Sequence, residues 1–280
     1  MDWLEAALLG LIQGLTEWLP VSSSGHLALA QRWLGEVPLL MDVLLHIGTL
    51  FVLLVFFRRE VAEAARGALE IVRDLGRGEG LRRAAGKTAG RRMAALVALG
   101  SVPTAALGLL FNATLGSGLF GHITIVGLGF LLTGALLALT VAPRRTGTGP
   151  AGRGVMQLGA DDALVVGTAQ GLAVLPGFSR SGWTIGAGIL YGVEREAAAR
   201  LSFLLFIPAV LGALILRLPD LAHGSGDFLP PALLGMVVAM AVGYLSLGLL
   251  MMVVKKGGLH FFAPYCIVAG ALVLGWELLL

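Results

Sequence analysis

Charge is what this chain has least of. Only 13% of its residues are Asp, Glu, Lys or Arg, about half of the roughly 25% that a soluble domain carries. That is too little to cover a water-facing surface, which excludes an ordinary globular domain. Cysteine is almost absent. The single Cys266 excludes an internal disulfide and a cysteine-based zinc cluster, and it reads as a small apolar filler. The one dense basic stretch, residues 58–92, holds ten of the twenty Lys and Arg residues but no aromatic residue. It lacks the stacking groups of a nucleic-acid surface, and nucleic acid is not an expected partner.

Apolar residues make up 57% of the chain, with a mean hydropathy of +0.88. They fall in long runs, at 39–57, 94–111, 123–142, 201–216, 233–254 and 261–280. A transmembrane helix needs about 20 such residues, and these runs are too many to be one signal peptide. The expected fold is an all-α polytopic membrane protein. Forty-one glycines suit close helix packing in lipid.

Basic residues cluster at 58–92, 144–153, 195–200 and 255–256. Placing all four clusters in the cytoplasm sets six full spans, at 41–57, 93–111, 119–142, 196–217, 230–254 and 260–280, with both termini outside. Within the first cluster, Glu60, Glu63, Arg66, Glu70, Arg73 and Asp74 have the spacing of an amphipathic surface helix. Segments 2–36 and 160–194 are left over, and each must begin and end on one side. Each has two short apolar arms around a polar middle. An arm of ten residues covers about 15 Å, half the hydrocarbon core, so both segments read as re-entrant helical hairpins.

An internal repeat supports this division. At an offset of 157, residues 13–26 align without gaps to residues 170–183, with six of fourteen positions identical, including Gln-Gly-Leu and Ser-x-Ser-Gly. Each repeat is then one hairpin plus three spans: 1–142 and 160–280, joined by a cytoplasmic linker at 143–159. Three crossings is an odd number, so the second copy is inserted upside down. Such inverted repeats place a polar site where their broken helices meet, so the two tips are expected to meet.

The first tip carries Gln13, Glu17, Ser22, Ser23, Ser24, Gly25 and His26. Gln13 and Glu17 share a helix face, and a carboxylate at membrane depth is expensive and usually functional. With a second oxygen donor it suits a hard divalent cation. The serines precede a helix start whose amides form an anion site. His26 lies three residues after Ser23, within reach to act as its base or to protonate a leaving group. The second tip carries Ser179, Arg180, Ser181 and Thr184. An unpaired guanidinium is not tolerated there, and Arg180 needs Glu17, a phosphate, or each in turn. Together the tips form a phosphate-processing set. His46, on the span after the first hairpin, reads equally as support for it or as packing.

The motifs Gln13-Gly-Leu-Thr-Glu17-Trp-Leu-Pro-Val-Ser22-Ser-Ser-Gly-His26 and Leu175-Pro-Gly-Phe-Ser-Arg180-Ser-Gly-Trp-Thr184 resemble the two signatures of bacterial undecaprenyl-diphosphatase, the bacitracin-resistance membrane phosphatase family. The likeness runs nearly end to end, through Leu45-His-Ile-Gly-Thr49 and Ser202-Phe-Leu-Leu-Phe-Ile-Pro208. It implies removal of the terminal phosphate from a C55 polyprenyl diphosphate, recycling the carrier lipid for peptidoglycan synthesis in the bacterial inner membrane. It also implies Mg²⁺ or Ca²⁺ bound through Glu17, catalysis by Ser23 and His26, and phosphate binding by Arg180. Ser22, Ser24, Gly25, Ser179, Ser181 and Thr184 are expected to add phosphate donors. Many members have Glu where this chain has Gln13, which leaves one formal charge for the metal. The first hairpin enters from outside and carries most of the reactive groups, so the site is expected to open outward. Further expected partners are membrane lipids and a second copy of the chain in a homodimer. A lipid-phosphate transporter or flippase could use the same inverted-repeat device; the serines and His26 favour chemistry.

Overall fold

A computed structural model describes residues 2–35, 37–120, 122–141, 152–221 and 229–279. Arg144 and Arg145, expected at the cytoplasmic end of the third span, lie outside the described residues, as does most of the linker. The described residues form helices joined by turns and loops, with no strand among them beyond one isolated bridge between Arg153 and Val193.

Among the described residues, five helices are long and apolar enough to cross a bilayer: α3 (Leu39–Phe56), α6 (Ala89–Phe120, over its portion Ala89–Thr114), α10 (Arg195–Leu221), α11 (Leu229–Lys256) and α12 (Ala263–Leu279) with the 3₁₀ turn before it. This is a multi-pass membrane protein. The sixth expected span is α7 (Ile123–Leu139), and it is shorter than expected at 17 residues. At 1.5 Å per residue that is about 25 Å, short of the roughly 30 Å core. Thr140 ends it, with its amide reaching back to Leu137 and Ala138.

The leftover segments are helical hairpins. The first pairs α1 (Trp3–Thr16) with α2 (Ser23–Leu34), and the second pairs α8 (Ala160–Leu172) with α9 (Arg180–Leu190). Their arms have 14, 12, 13 and 11 residues, or about 16 to 21 Å, too short to cross. Asp2 and Glu5 form a capping box that sets the start of α1.

The repeat at offset 157 extends into packing. Ser22 caps α2 by accepting from the amide of Gly25, and Ser179 caps α9 by accepting from Gly182, both at 3.2 Å. Gly10 of α1 lies against the backbone of Gly235 of α11, while Gly167 of α8 lies against that of Gly100 of α6; a Cβ at either glycine would strike a carbonyl oxygen. Each hairpin therefore packs its first arm on a long helix of the opposite half. α7 and α12 pair through Gly127, Gly134 and Gly270.

Glycines also join the tips. Gly177 turns the second tip at φ +87°, and a Cβ there would collide with the carbonyl oxygen of Val126 on α7. A Cβ on Gly25 would lie 2.8 Å from the Phe130 ring and 3.2 Å from Cα of Gly177. Gly177→Ala thus combines a left-handed backbone with an unyielding neighbour. It is expected to destabilise the protein by about 2–4 kcal/mol, read as a lowered unfolding midpoint in detergent. An unchanged midpoint would mean that the tip can relax away from α7.

α4 (Arg58–Leu75) leaves the membrane directly after α3 and is the amphipathic surface helix expected there. It buries Gly67, Ile71 and Asp74 against α6. Asp74 accepts from Lys87 at 2.7 Å and Arg91 at 2.5 Å. These two hydrogen-bonded cations hold its carboxyl well below the usual carboxylate range, so the docking stays ionised at any physiological pH.

Candidate active site

Glu17 sits where the hairpins meet. It is the C-cap of α1, its amide bonds to Gln13, and its side chain is buried. Oε1 pairs with the guanidinium of Arg180 from the second tip. Oε2 accepts from Gln13 Nε2 at 3.0 Å and from Ser23 Oγ at 2.5 Å. The tips therefore meet as expected, and Arg180 has the anion that its burial demands. Ser181 reinforces the junction by donating to the carbonyl of Leu19 at 3.4 Å.

The guanidinium lies on an aromatic wall. Arg180 Cζ is 3.5 Å from the centroid of the Phe206 ring. Trp18 meets Phe206 and Phe203 edge-on, with centroids 5.3 and 5.7 Å away. The small opening beside the ion pair is lined by Glu17, Trp18, Arg180, Ser181, Ser202, Phe203 and Phe206. A cation flattened on a ring in an apolar setting keeps its outer edge for hydrogen bonding. Phe203, Phe206 and Ser202 come from α10, in the Ser202–Pro208 segment that carried part of the family likeness.

The sequence pairs Ser23 with His26, but the structure gives Ser23 a different partner. Its hydroxyl donates to Glu17, and neither ring nitrogen of His26 is hydrogen-bonded to it. The cause is helical geometry. His26 lies one turn beyond Ser22, so its Nδ1 folds back on the Ser22 carbonyl at 2.7 Å. The carboxylate is therefore the group placed to take the Ser23 proton. Ser22 itself is the only described residue other than glycine at positive φ, at 67°. Such strain in a tip is sustained by the packing around it.

Several expected phosphate donors are occupied in building the tips. Ser22 and Ser179 cap their helices, and the Gly25 amide is spent on Ser22. Thr184 donates to the carbonyl of Arg180 at 2.7 Å, and its oxygen takes the hydroxyl of Ser202. Arg180 is thus held from behind by α10 through two hydroxyls, a link that the packing of α10 against α9 supplies. Thr133 of α7 steadies the second tip, accepting from the Ser179 amide and the Trp183 indole, both at 3.1 Å. Ser24 is exposed, and its hydroxyl meets only that of Ser22, at 3.3 Å. His46 of α3 lies within electrostatic reach of Glu17 and bonds through Nδ1 to the Asp42 carbonyl at 2.8 Å.

Metal binding can be tested against the donors present. Among the described residues no three His, Cys, Asp or Glu side chains gather to hold an ion. A carboxylate only accepts, so Gln13 must present its NH₂ to Glu17, which leaves Gln13 Oε1 buried without a partner. One carboxylate and one unsatisfied amide oxygen do not make a protein cage. They do fit Mg²⁺, which is commonly held by one or two carboxylates together with the phosphates of its substrate.

The chain's relatives agree with this chemistry. A protein named undecaprenyl-diphosphatase from Desulforapulum autotrophicum is 44% identical over 272 residues, 96% of both chains. One of the same name from Desulfatibacillum aliphaticivorans is 44% identical over 277 residues, 98% of both chains. Another, from Korarchaeum cryptofilum, is 39% identical over 276 residues, covering 98% of this chain and 99% of its own. The family described as bacitracin resistance protein BacA matches residues 6–272, and this chain belongs to it.

Proposed function

We propose that this chain is a membrane phosphatase that hydrolyses undecaprenyl diphosphate to undecaprenyl phosphate and inorganic phosphate. The observation that carries the reading is the single contact set Ser23–Glu17–Arg180 at the junction of two hairpin tips. It puts a hydroxyl nucleophile, its base and a phosphate-binding cation within one hydrogen-bond network.

The diphosphate enters between the tips with its isoprenoid tail along the bilayer. Arg180 turns from Glu17 to the terminal phosphate, and the Ser24 hydroxyl and the Ser23 and Ser24 amides that open α2 support it. Glu17 takes the Ser23 proton as Oγ attacks the terminal phosphorus. The bond to the bridging oxygen breaks, and undecaprenyl phosphate leaves with the electron pair. Water then attacks the phosphoserine, His26 handles its proton, and Ser23 is regenerated as phosphate departs. Phosphoryl transfer asks mainly for positioning and charge neutralisation. Glu17 and Gln13 would hold Mg²⁺ or Ca²⁺, which would neutralise diphosphate charge.

The reciprocal packing of each hairpin on the opposite half supports two repeats of inverted topology, 1–142 and 160–280, with both termini outside. On that topology the chain lies in the inner membrane and its site opens outward. The other partners in this reading are membrane lipids and a second copy of the chain.

Purified full-length chain in detergent, given undecaprenyl diphosphate with Mg²⁺ or Ca²⁺, is expected to release inorganic phosphate. No release with either ion would overturn the reading and favour lipid transport. Arg180→Lys keeps the charge but loses the planar fork. It is expected to lower kcat/KM by about 10- to 100-fold, checked by phosphate-release kinetics; an unchanged value would remove Arg180 from phosphate binding.

A further inference from the structure

The imidazole of His26 is held at both nitrogens. The Ser22 carbonyl bonded to Nδ1 is an acceptor only, so Nδ1 carries the hydrogen. Nε2 of the neutral ring then holds the lone pair, and it lies 2.6 Å from the hydroxyl of Tyr265, which donates. The two rings lie nearly parallel at 8° with centroids 5.8 Å apart, and Phe130 meets the imidazole edge-on at 5.2 Å. Tyr265 belongs to the first turn of α12, 239 residues along the chain. Its neighbour Cys266 donates to the carbonyl of Pro20 at 3.4 Å, which docks that turn on the first tip.

This contact is not forced by burial. Tyr265 is 50% exposed, so packing leaves its ring room to turn away from His26. The reaction scheme above leaves Tyr265 unused, and nothing in the motifs marks it. Yet it is the partner of the ring nitrogen through which His26 can exchange protons, because Nδ1 is spent on its own helix.

We propose that Tyr265 is a positioning residue for His26, fixing the orientation of its ring and aiming Nε2 as the proton-accepting nitrogen. The phenol suits both charge states of the ring. It donates to neutral imidazole, and when Nε2 gains a proton it turns and accepts. The ring therefore keeps one orientation through a proton-transfer cycle. α12 thereby completes a site whose other reactive groups lie on the hairpins.

The proposal rests on the phosphatase reading for its kinetic consequence but not for its structural one, and two measurements separate them. Tyr265→Phe keeps the stacked ring and removes only the hydroxyl. It is expected to lower kcat for phosphate release by about three- to tenfold, the worth of one hydrogen bond, with KM unchanged. In a His26→Gln background the same substitution is expected to have no further effect on the residual rate. Independently, ¹⁵N spectra of ring-labelled histidine, with the His26 signals identified by their loss in His26→Gln, are expected to show a hydrogen-bonded Nε2 in the parent protein and the shift of a free one in Tyr265→Phe. An unaltered Nε2 signal in Tyr265→Phe would overturn the proposal, as would an equal loss of rate with and without His26. If the parent protein released no phosphate, the phosphatase reading would fall while the spectra still decided the positioning role.

Discussion

Ser23→Ala is expected to lower turnover at least about ten-thousandfold, on the scale seen when a hydroxyl nucleophile that works as part of a unit is removed, while leaving the fold intact. Ser23 Oγ makes one side-chain hydrogen bond, to Glu17, and the residue is only partly buried. The helix cap is its neighbour Ser22. The two functions are thus separable by adjacent substitutions. Ser22→Ala should remove the cap and about 1 kcal/mol of stability, with a much smaller loss of rate. Phosphate-release kinetics and unfolding midpoints on the two variants form a crossed comparison. Full turnover by Ser23→Ala would assign the attack to water, with Glu17 activating it directly. A rate loss in Ser22→Ala equal to that in Ser23→Ala would mean that the serines act only through the shape of the tip.

The sequence carries the tips clearly because polar residues inside apolar runs are costly in lipid. Gln13, Glu17 and Arg180 could not sit at that depth without one another, so their meeting follows from charge alone. The offset of 157 was legible for the same reason; Gln-Gly-Leu and Ser-x-Ser-Gly stand out against low-complexity apolar sequence. The matched Ser22 and Ser179 caps fall at that same offset. What the motif could not show was the direction of each side chain. Whether Ser23 turns to His26 or Glu17 depends on the rotation of α2 about its axis and on its cap, and neighbours in sequence do not fix that rotation. Tyr265 was hidden because it opens an apolar helix, where a tyrosine reads as an interfacial anchor. Ser202 and Thr133 were hidden in the same way. Each is one hydroxyl on a long span, and only the packing of α10 and α7 against the second tip gives it a partner. The short α7 was missed for a different reason. Hydropathy measures the length of an apolar run, whereas the helix ends where its last turn tightens at Thr140.

Glu17→Gln should separate the two tasks of the carboxylate. The amide has almost the same shape, but it is no base, and it leaves the buried guanidinium of Arg180 without a counter-charge. Loss of a general base lowers the rate by about 10²–10⁴. Removing one partner of a buried ion pair destabilises a protein by about 3–5 kcal/mol. Both losses are expected in phosphate-release assays and in thermal unfolding. The ion pair adds a third, opposite effect. In the parent protein Glu17 competes with substrate for Arg180, so binding the diphosphate requires the pair to open. The variant has no such competitor, and the incoming diphosphate supplies the anion that the guanidinium lacks. KM is therefore expected to stay level or fall as kcat collapses, the pattern of a ground-state interaction removed. A non-hydrolysable prenyl diphosphonate should likewise raise the unfolding midpoint of Glu17→Gln more than that of the parent. A rise in KM matching the fall in kcat would instead show that Glu17 binds the substrate, through its cation, more than it holds Arg180 in check.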